Sequence, residues 1–154
     1  MNQKKIKPQL LWDLYHISSN RADEILVALG FSLNKKVENL ILYRNYDEGF
    51  ILTEEAGVIT KVQYRMKEEV TYHEFIEYAR GPLAFETIFE RFEPSAEVLR
   101  LDDETCSLVC IIITINGNHQ SLEITLLNKL PYPTPENKVE VILAPPPTSK
   151  EKPN

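Results

Sequence analysis

Apolar positions recur along this chain with two periods, and the period assigns the elements. After Pro8, residues 9–29 read as two short helices. The first sets Leu10, Leu11, Leu14 and Tyr15 on one side with Trp12 turned away, and the second repeats Ala22, Ile25, Leu26 and Leu29. Asn20 is placed to cap the second helix, Asp23 and Glu24 fall in its first turn, and Gly30 supplies a left-handed stop. The stretch "KKVENLILYRN", Lys35 to Asn45, fits either period, and its short apolar run favours a strand. "FILTEEAGVITKVQYRM" follows as a hairpin around Glu55-Ala56-Gly57. Within it, Thr60, Val62, Tyr64 and Met66 alternate with Lys61, Gln63 and Arg65, the signature of a strand buried on one side.

The helical period then returns. Thr71 with Glu74 predicts a capping box, and Tyr72, Phe75, Ile76 and Ala79 form an inward stripe. Gly81-Pro82 breaks the chain, and Phe85, Ile88, Phe89 and Phe92 predict a further helix up to Pro94, its stripe serving as core. From Glu97 onward the pattern is strand: "EVLRL", a long hairpin at 106–127, then "KVEVILA". Seven of the ten prolines lie at or beyond Pro131, which divides the chain into an expected single domain, 1–144, and a disordered Pro-rich tail, 145–154.

The hairpin "CSLVCIIITINGNHQSLEITLL" raises the sharpest question. Asn116-Gly117 predicts a two-residue turn, since both positions of a type I′ turn need positive φ. Ile115 then pairs with Asn118, and Val109, Ile111, Ile113, Leu122, Ile124 and Leu126 share a core face. The opposite face carries Leu108, Cys110, Ile112 and Thr114 on one strand and His119, Ser121, Glu123 and Thr125 on the other. A solvent face alternates to polar residues on both strands, and here one strand stays apolar. Either another part of the chain covers this face, or the face serves a partner. A three-residue loop, shifting the pairing, is the remaining alternative.

The order helices, strands, helices, strands predicts an α+β fold: a mostly antiparallel β-sheet with helices packed on one face, in a single two-layer domain. Charge narrows the partners. With 17 Lys and Arg against 23 Asp and Glu, the net charge is −6, which opposes unspecific binding to nucleic acid or anionic lipid. The opening "MNQKKIKPQLLW" lacks a signal-peptide apolar core, no run reaches the roughly 20 residues of a membrane span, and the expected location is cytoplasmic. Cys106 and Cys110 on one strand lie about 13 Å apart at ~3.3 Å per residue, too far for a disulfide, and read as small hydrophobes.

Motifs for chemistry are sparse. "HEFIE", His73 to Glu77, has the spacing of a zinc-protease helix with Glu77 in place of the second histidine, so a solvated face with a Glu77–Arg80 pair is expected instead. "DDE", Asp102 to Glu104, reads as a polar turn. All five glycines stand apart, and the chain has neither a phosphate-binding loop nor a nucleophile elbow. No cofactor or metal is expected.

The leading expectation is a non-enzymatic protein-binding module, self-associating or an adaptor. Leu108, Cys110 and Ile112 are its expected apolar anchor, with His119 and Glu123 at the polar edge. The alternative is a ligand or enzymatic pocket between sheet and helices, toward which Tyr64, Tyr72, His73 or His119 would turn. A weaker third reading makes residues 9–66 a DNA-binding winged helix, with 33–44 helical and Lys35, Lys36 and Arg44 on phosphate.

Overall fold

A computed structural model of the chain describes residues 6–115 and 119–132, the side chain of His119 excepted. Two short helices, α1 (Gln9–Leu14) and α2 (Ser19–Ala28), precede four strands: β1 (Ser32–Val37), β2 (Leu40–Asn45), β3 (Glu48–Glu55) and β4 (Val58–Met66). Helix α3 (Glu69–Arg80) leads into β5 (Glu86–Glu93), β6 (Ala96–Asp102), β7 (Cys106–Ile115) and β8 (His119–Asn128). The eight strands among the described residues form one antiparallel sheet in the order β1-β2-β3-β4-β8-β7-β6-β5. Each set of four is a meander, and the two meanders join through their last strands, β4 and β8. The α+β expectation holds, with the sheet dominant.

Helix α2 is capped by Ser18, whose hydroxyl accepts from the Arg21 amide at 3.1 Å, two residues before the expected Asn20. Its end is a Schellman motif: Phe31 N–H bonds Leu26 O at 3.0 Å and Gly30 N–H bonds Val27 O at 3.0 Å, with Gly30 at φ +98°. The α1–α2 connection is stitched to the hairpin of β3 and β4. His16 N–H donates to Ile59 O at 2.7 Å, and Ile59 N–H donates to Ile17 O at 2.8 Å. That hairpin turns on Ala56 and Gly57, both at positive φ as a two-residue turn requires.

All three helices lie on one face of the sheet. Leu11, Leu14, Leu26, Phe75 and Ala79 share a single core with strand residues of one parity, among them Phe50, Tyr64, Leu108, Ile112 and Ile124. Phe50 stacks on Tyr64 with centroids 4.5 Å apart, and Tyr64 meets Phe75 at 5.6 Å. The expected inward stripe of α3 is present, but the helix begins at Glu69, so Thr71 sits inside its first turn and the expected capping box is not the start.

Four further expectations are corrected. The stretch 33–44 is the two-stranded hairpin of β1 and β2, turning at Glu38 (φ +55°), so the winged-helix order has no third helix. Residues 86–93, expected as a helix, are strand β5. A bulge at Ile88, where Thr87 pairs with Leu101 and Phe89 with Arg100, breaks the alternation and lets the phenylalanines mimic helical spacing. Arg80 does not pair with Glu77; it donates to Thr87 Oγ1 at 2.9 Å and reaches Glu90.

The fourth correction concerns the long hairpin. Ile115 pairs with His119, Ile112 with Leu122 and Cys110 with Ile124, so three residues separate the paired ends rather than two. One residue of slip exchanges the faces of β7 relative to β8. Leu108, Cys110 and Ile112 therefore join Leu122, Ile124 and Leu126 in the core, while Val109, Ile111 and Ile113 face away from the helices. Of "DDE", Asp103 and Glu104 lie in the expected turn, where Asp103 accepts from the amides of Thr105 and Cys106 at 2.8 and 2.7 Å, whereas Asp102 ends β6 as a buried strand residue. The "KVEVILA" strand and the 145–154 tail lie outside the described residues.

Candidate interaction surface

The face of the sheet opposite the helices, called here the open face, is built of cross-strand rows. One row runs Lys35, Leu42, Ile51, Gln63 and Thr125 from β1 to β8. The next runs Arg44, Gly49, Arg65 and Glu123, and a third runs Val37, Leu40, Thr53, Lys61 and Leu127. These directly opposed residues stand close enough to act together. Leu42, Ile51 and Gln63 floor a groove of about 270 Å³, walled by Arg44 and Arg65 and flanked by Asn34.

Lys35, Arg44, Lys61 and Arg65 thus flank an apolar floor, against Glu123 within the rows and Asp47 and Glu48 in the lining of the groove itself. Glu123 is engaged from two sides: Arg65 Nε donates to one oxygen at 3.0 Å, and Gln63 Nε2 donates to the other at 3.0 Å. Glu55, at the tip of the β3–β4 hairpin, is the next acid along this face. At the other end Asp47 is held by Lys67 at 2.8 Å, and this contact lowers the Asp47 pKa below the usual carboxylate value.

Over β5–β8 the open face is different. Arg100 and Asp102 are buried there as an ion pair, and Arg100 also donates to the carbonyls of Leu130 and Pro131, each at 2.8 Å. Leu130 N–H in turn bonds Ser107 Oγ at 2.9 Å. Residues 129–131 therefore fold back from β8 across this half, where Val98 and Val109 are buried outside the main core.

Of the residues expected at a partner site, Leu108, Cys110 and Ile112 are 0, 0 and 3% exposed and pack into the core, so the expected apolar anchor is not on the surface. Burial raises the Cys110 thiol far above its ordinary pKa, which keeps it protonated and inert. Glu123 lies on the open face. His119 opens β8 opposite Ile115, its side chain outside the described residues. Tyr64 and Tyr72 turn inward as packed core, and His73 is exposed. Among the described residues both edge strands are blunted against further pairing: β1 by its bulge at Asn34 with Lys35 and Lys36, β5 by its bulge with Glu86, Glu90 and Glu93. The cationic rows were missed in the sequence, although the alternation of Lys61, Gln63 and Arg65 marks the outer side of β4.

Two other polar places stand out. At the far end of β8, Asn128 Oδ1 accepts from the Tyr15 hydroxyl and lies 3.3 Å from His16 Nε2, with His16 in the left-handed region at φ +69°. At the start of α3, a cleft lined by Tyr46, Glu48, Tyr64, Lys67 and Glu68 lets the buried Tyr64 hydroxyl donate to Glu48 at 2.9 Å. Burial raises the Glu48 pKa, outweighing the lowering by the Tyr64 hydrogen bond. A carboxyl whose folded pKa is raised favours the fold below its unfolded pKa and loses that contribution as pH rises through the folded pKa. Glu48→Gln keeps an acceptor for Tyr64 without the charge. Its melting temperature is expected above wild type at pH 7, with the gap closing at pH 4 and below, as thermal scans across pH would show.

Among the described residues, no group of three His, Cys, Asp or Glu could hold a metal ion, and no helix is long and apolar enough to cross a membrane. Neither a family model, nor a curated protein, nor a solved structure matches the chain.

Proposed function

We propose that this chain is a non-enzymatic protein-binding module that docks its partner on the open face over β1–β4 and β8. The observation that carries the reading is a sheet face on which, among the described residues, no helix packs and Leu40, Leu42 and Ile51 lie among four cations, on a protein whose net charge is −6. A net-acidic chain that gathers cations around an apolar floor suits an acidic partner surface. The blunted edges favour docking on the face over strand addition at its rim. The rows over β1–β4 hold no aromatic side chain on which a base could stack, which disfavours single-stranded nucleic acid. Two buried, unpaired thiols suit a reducing compartment, and a cytoplasmic location belongs to the same proposal.

The test is a comparison of partner capture by wild type, by Leu40→Glu with Leu42→Glu, and by Val70→Glu on the exposed side of α3. Binding to the retained protein is expected to weaken more than tenfold for the first variant and to stay unchanged for the second. Equal binding by all three, with melting temperatures matched, would overturn the reading.

A further inference from the structure

Resting on that reading, we propose that the partner offers an extended acidic segment, one carboxylate of which seats between Arg44 and Arg65 above Gly49. Gly49 is the direct cross-strand neighbour of both arginines, Arg44 on β2 and Arg65 on β4. With strands ~4.8 Å apart, the two guanidinium stems rise from positions roughly 10 Å apart, and the glycine leaves the space between them unfilled. A side chain there is resisted by the backbone itself, because a Cβ on Gly49 would stand 3.1 Å from Tyr43 O. The sequence thus keeps a notch, walled by two cations, within the row that runs from Arg44 to Glu123.

The charge and size of the seated group follow from the neighbours. Arg65 already gives Nε to Glu123, so one edge of its guanidinium is satisfied and a fixed negative charge stands beside the notch. Arg44 is the less engaged wall: among the described residues its guanidinium makes one hydrogen bond, a 3.4 Å contact to Tyr46 O, and it also attracts Asp47, whose carboxylate Lys67 holds at 2.8 Å. A singly charged carboxylate fits between them, whereas a doubly charged phosphate would meet Glu123. Leu42 and Ile51 occupy the adjacent row, two residues along each strand, or about 6.7 Å away. An extended segment running along the strands would place an apolar side chain there two positions from its carboxylate.

The chain's own remaining length fits this seat poorly. Residues 133–154 carry Glu136, Glu140 and Glu151 against Lys138, Lys150 and Lys152, with no acidic excess to offer. A second copy docked by the same face fits worse, since a two-fold contact would set Lys35, Arg44, Lys61 and Arg65 against themselves.

The experiment uses the full chain and a labelled, acetylated and amidated peptide in which Leu and Glu alternate at every second position with Ser between. Its Glu→Gln counterpart is the control, and binding is read by fluorescence anisotropy. The acidic peptide is expected to bind at least tenfold tighter than the control, and more weakly as salt rises. Arg44→Gln should erase most of that difference, Arg65→Gln part of it, and Val70→Glu none. Equal binding of the two peptides, an Arg44→Gln protein indistinguishable from wild type, or a single-stranded oligonucleotide that displaces the acidic peptide at lower concentration would each overturn the proposal. If the natural partner is still lost from Leu40→Glu with Leu42→Glu while peptide charge makes no difference, the carboxylate seat fails and the docking face stands. If those leucine variants also keep the partner, the docking face fails as well.

Discussion

Ile112→Lys is expected to unfold the protein, and Ile111→Lys, one residue earlier, to leave it folded. Ile112 pairs with Leu122 and packs into the core beneath the helices, with 3% of its surface exposed. An ammonium there would have no partner and no water, and the effective cost of such a buried ion is several kcal/mol. A domain of this size has about 5–15 kcal/mol in total, so most or all of its native population is at stake. Ile111 stands on the open face, opposite Glu123 on β8 and Val98 on β6. A lysine at 111 can extend its ammonium toward Glu123 and water, and the expected change is about 1 kcal/mol or less. Urea unfolding followed by circular dichroism measures both. The reverse order of damage would restore the two-residue turn and move Leu108, Cys110 and Ile112 to the surface. Ile112→Val, expected to lose about 0.5–1.5 kcal/mol, confirms that a folded variant at this position can be recovered.

The parity of that hairpin shows where sequence reasoning runs out. The chain reverses between Ile115 and His119, yet the number of residues between these paired ends decides which isoleucines are buried. β7 is apolar at nearly every position from Leu108 to Ile113, so either register buries a full row, and the pattern itself cannot choose. The slip is visible only in the partner: Leu122, Ile124 and Leu126 must lie beside the buried parity of β7. By contrast, β4 needed no partner to be legible, because Lys61, Gln63 and Arg65 alternate with Val62, Tyr64 and Met66 and admit one face only.

Local chemistry was legible wherever a single residue carries it. Gly30 at the Schellman end of α2, Ala56-Gly57 at the β3–β4 turn and the Tyr72–Ala79 stripe of α3 all act through near neighbours. Ser18 in place of Asn20 as the cap is a displacement within "SSN", where three adjacent residues can each accept the amide bond. β5 failed for a different reason, since its bulge converts a two-residue period into something closer to three. The joining of β4 to β8, some sixty residues apart, has no local signature at all. The docking face depends on that joining and on the β2–β3–β4 register, so Arg44, Gly49 and Arg65 read separately in the sequence as a surface charge, a turn residue and another surface charge.

Arg100→Leu is expected to cost about 3–5 kcal/mol, the range seen when one member of a buried ion pair is removed. Arg100 and Asp102 side chains are 1 and 2% exposed, and the guanidinium meets the carboxylate with two bonds, Nε to Oδ1 at 3.0 Å and Nη2 to Oδ2 at 2.8 Å. Removing the arginine strands a buried carboxylate and leaves the carbonyls of Leu130 and Pro131 without their donor. Arg100→Lys should recover little, because one ammonium cannot span the carboxylate and two carbonyls from a single position. The double variant Arg100→Leu with Asp102→Leu removes both charges and should regain most of the lost stability. It cannot restore the two Arg100 bonds to this segment, however, which keeps Leu130 N–H to Ser107 Oγ and Lys129 N–H to Thr105 O among the described hydrogen bonds. Stability and strap should therefore separate: denaturant midpoints return toward wild type in the double variant, while the Leu130 amide exchanges rapidly in both. A loss below about 1 kcal/mol for Arg100→Leu would mean that the pair is solvated and is not what holds the strap. If the two halves of the open face are as different as their chemistry implies, the double variant should expose Val98 and Val109 to a hydrophobic dye and still bind an acidic partner over β1–β4. Loss of that binding together with the strap would instead make the two halves one surface.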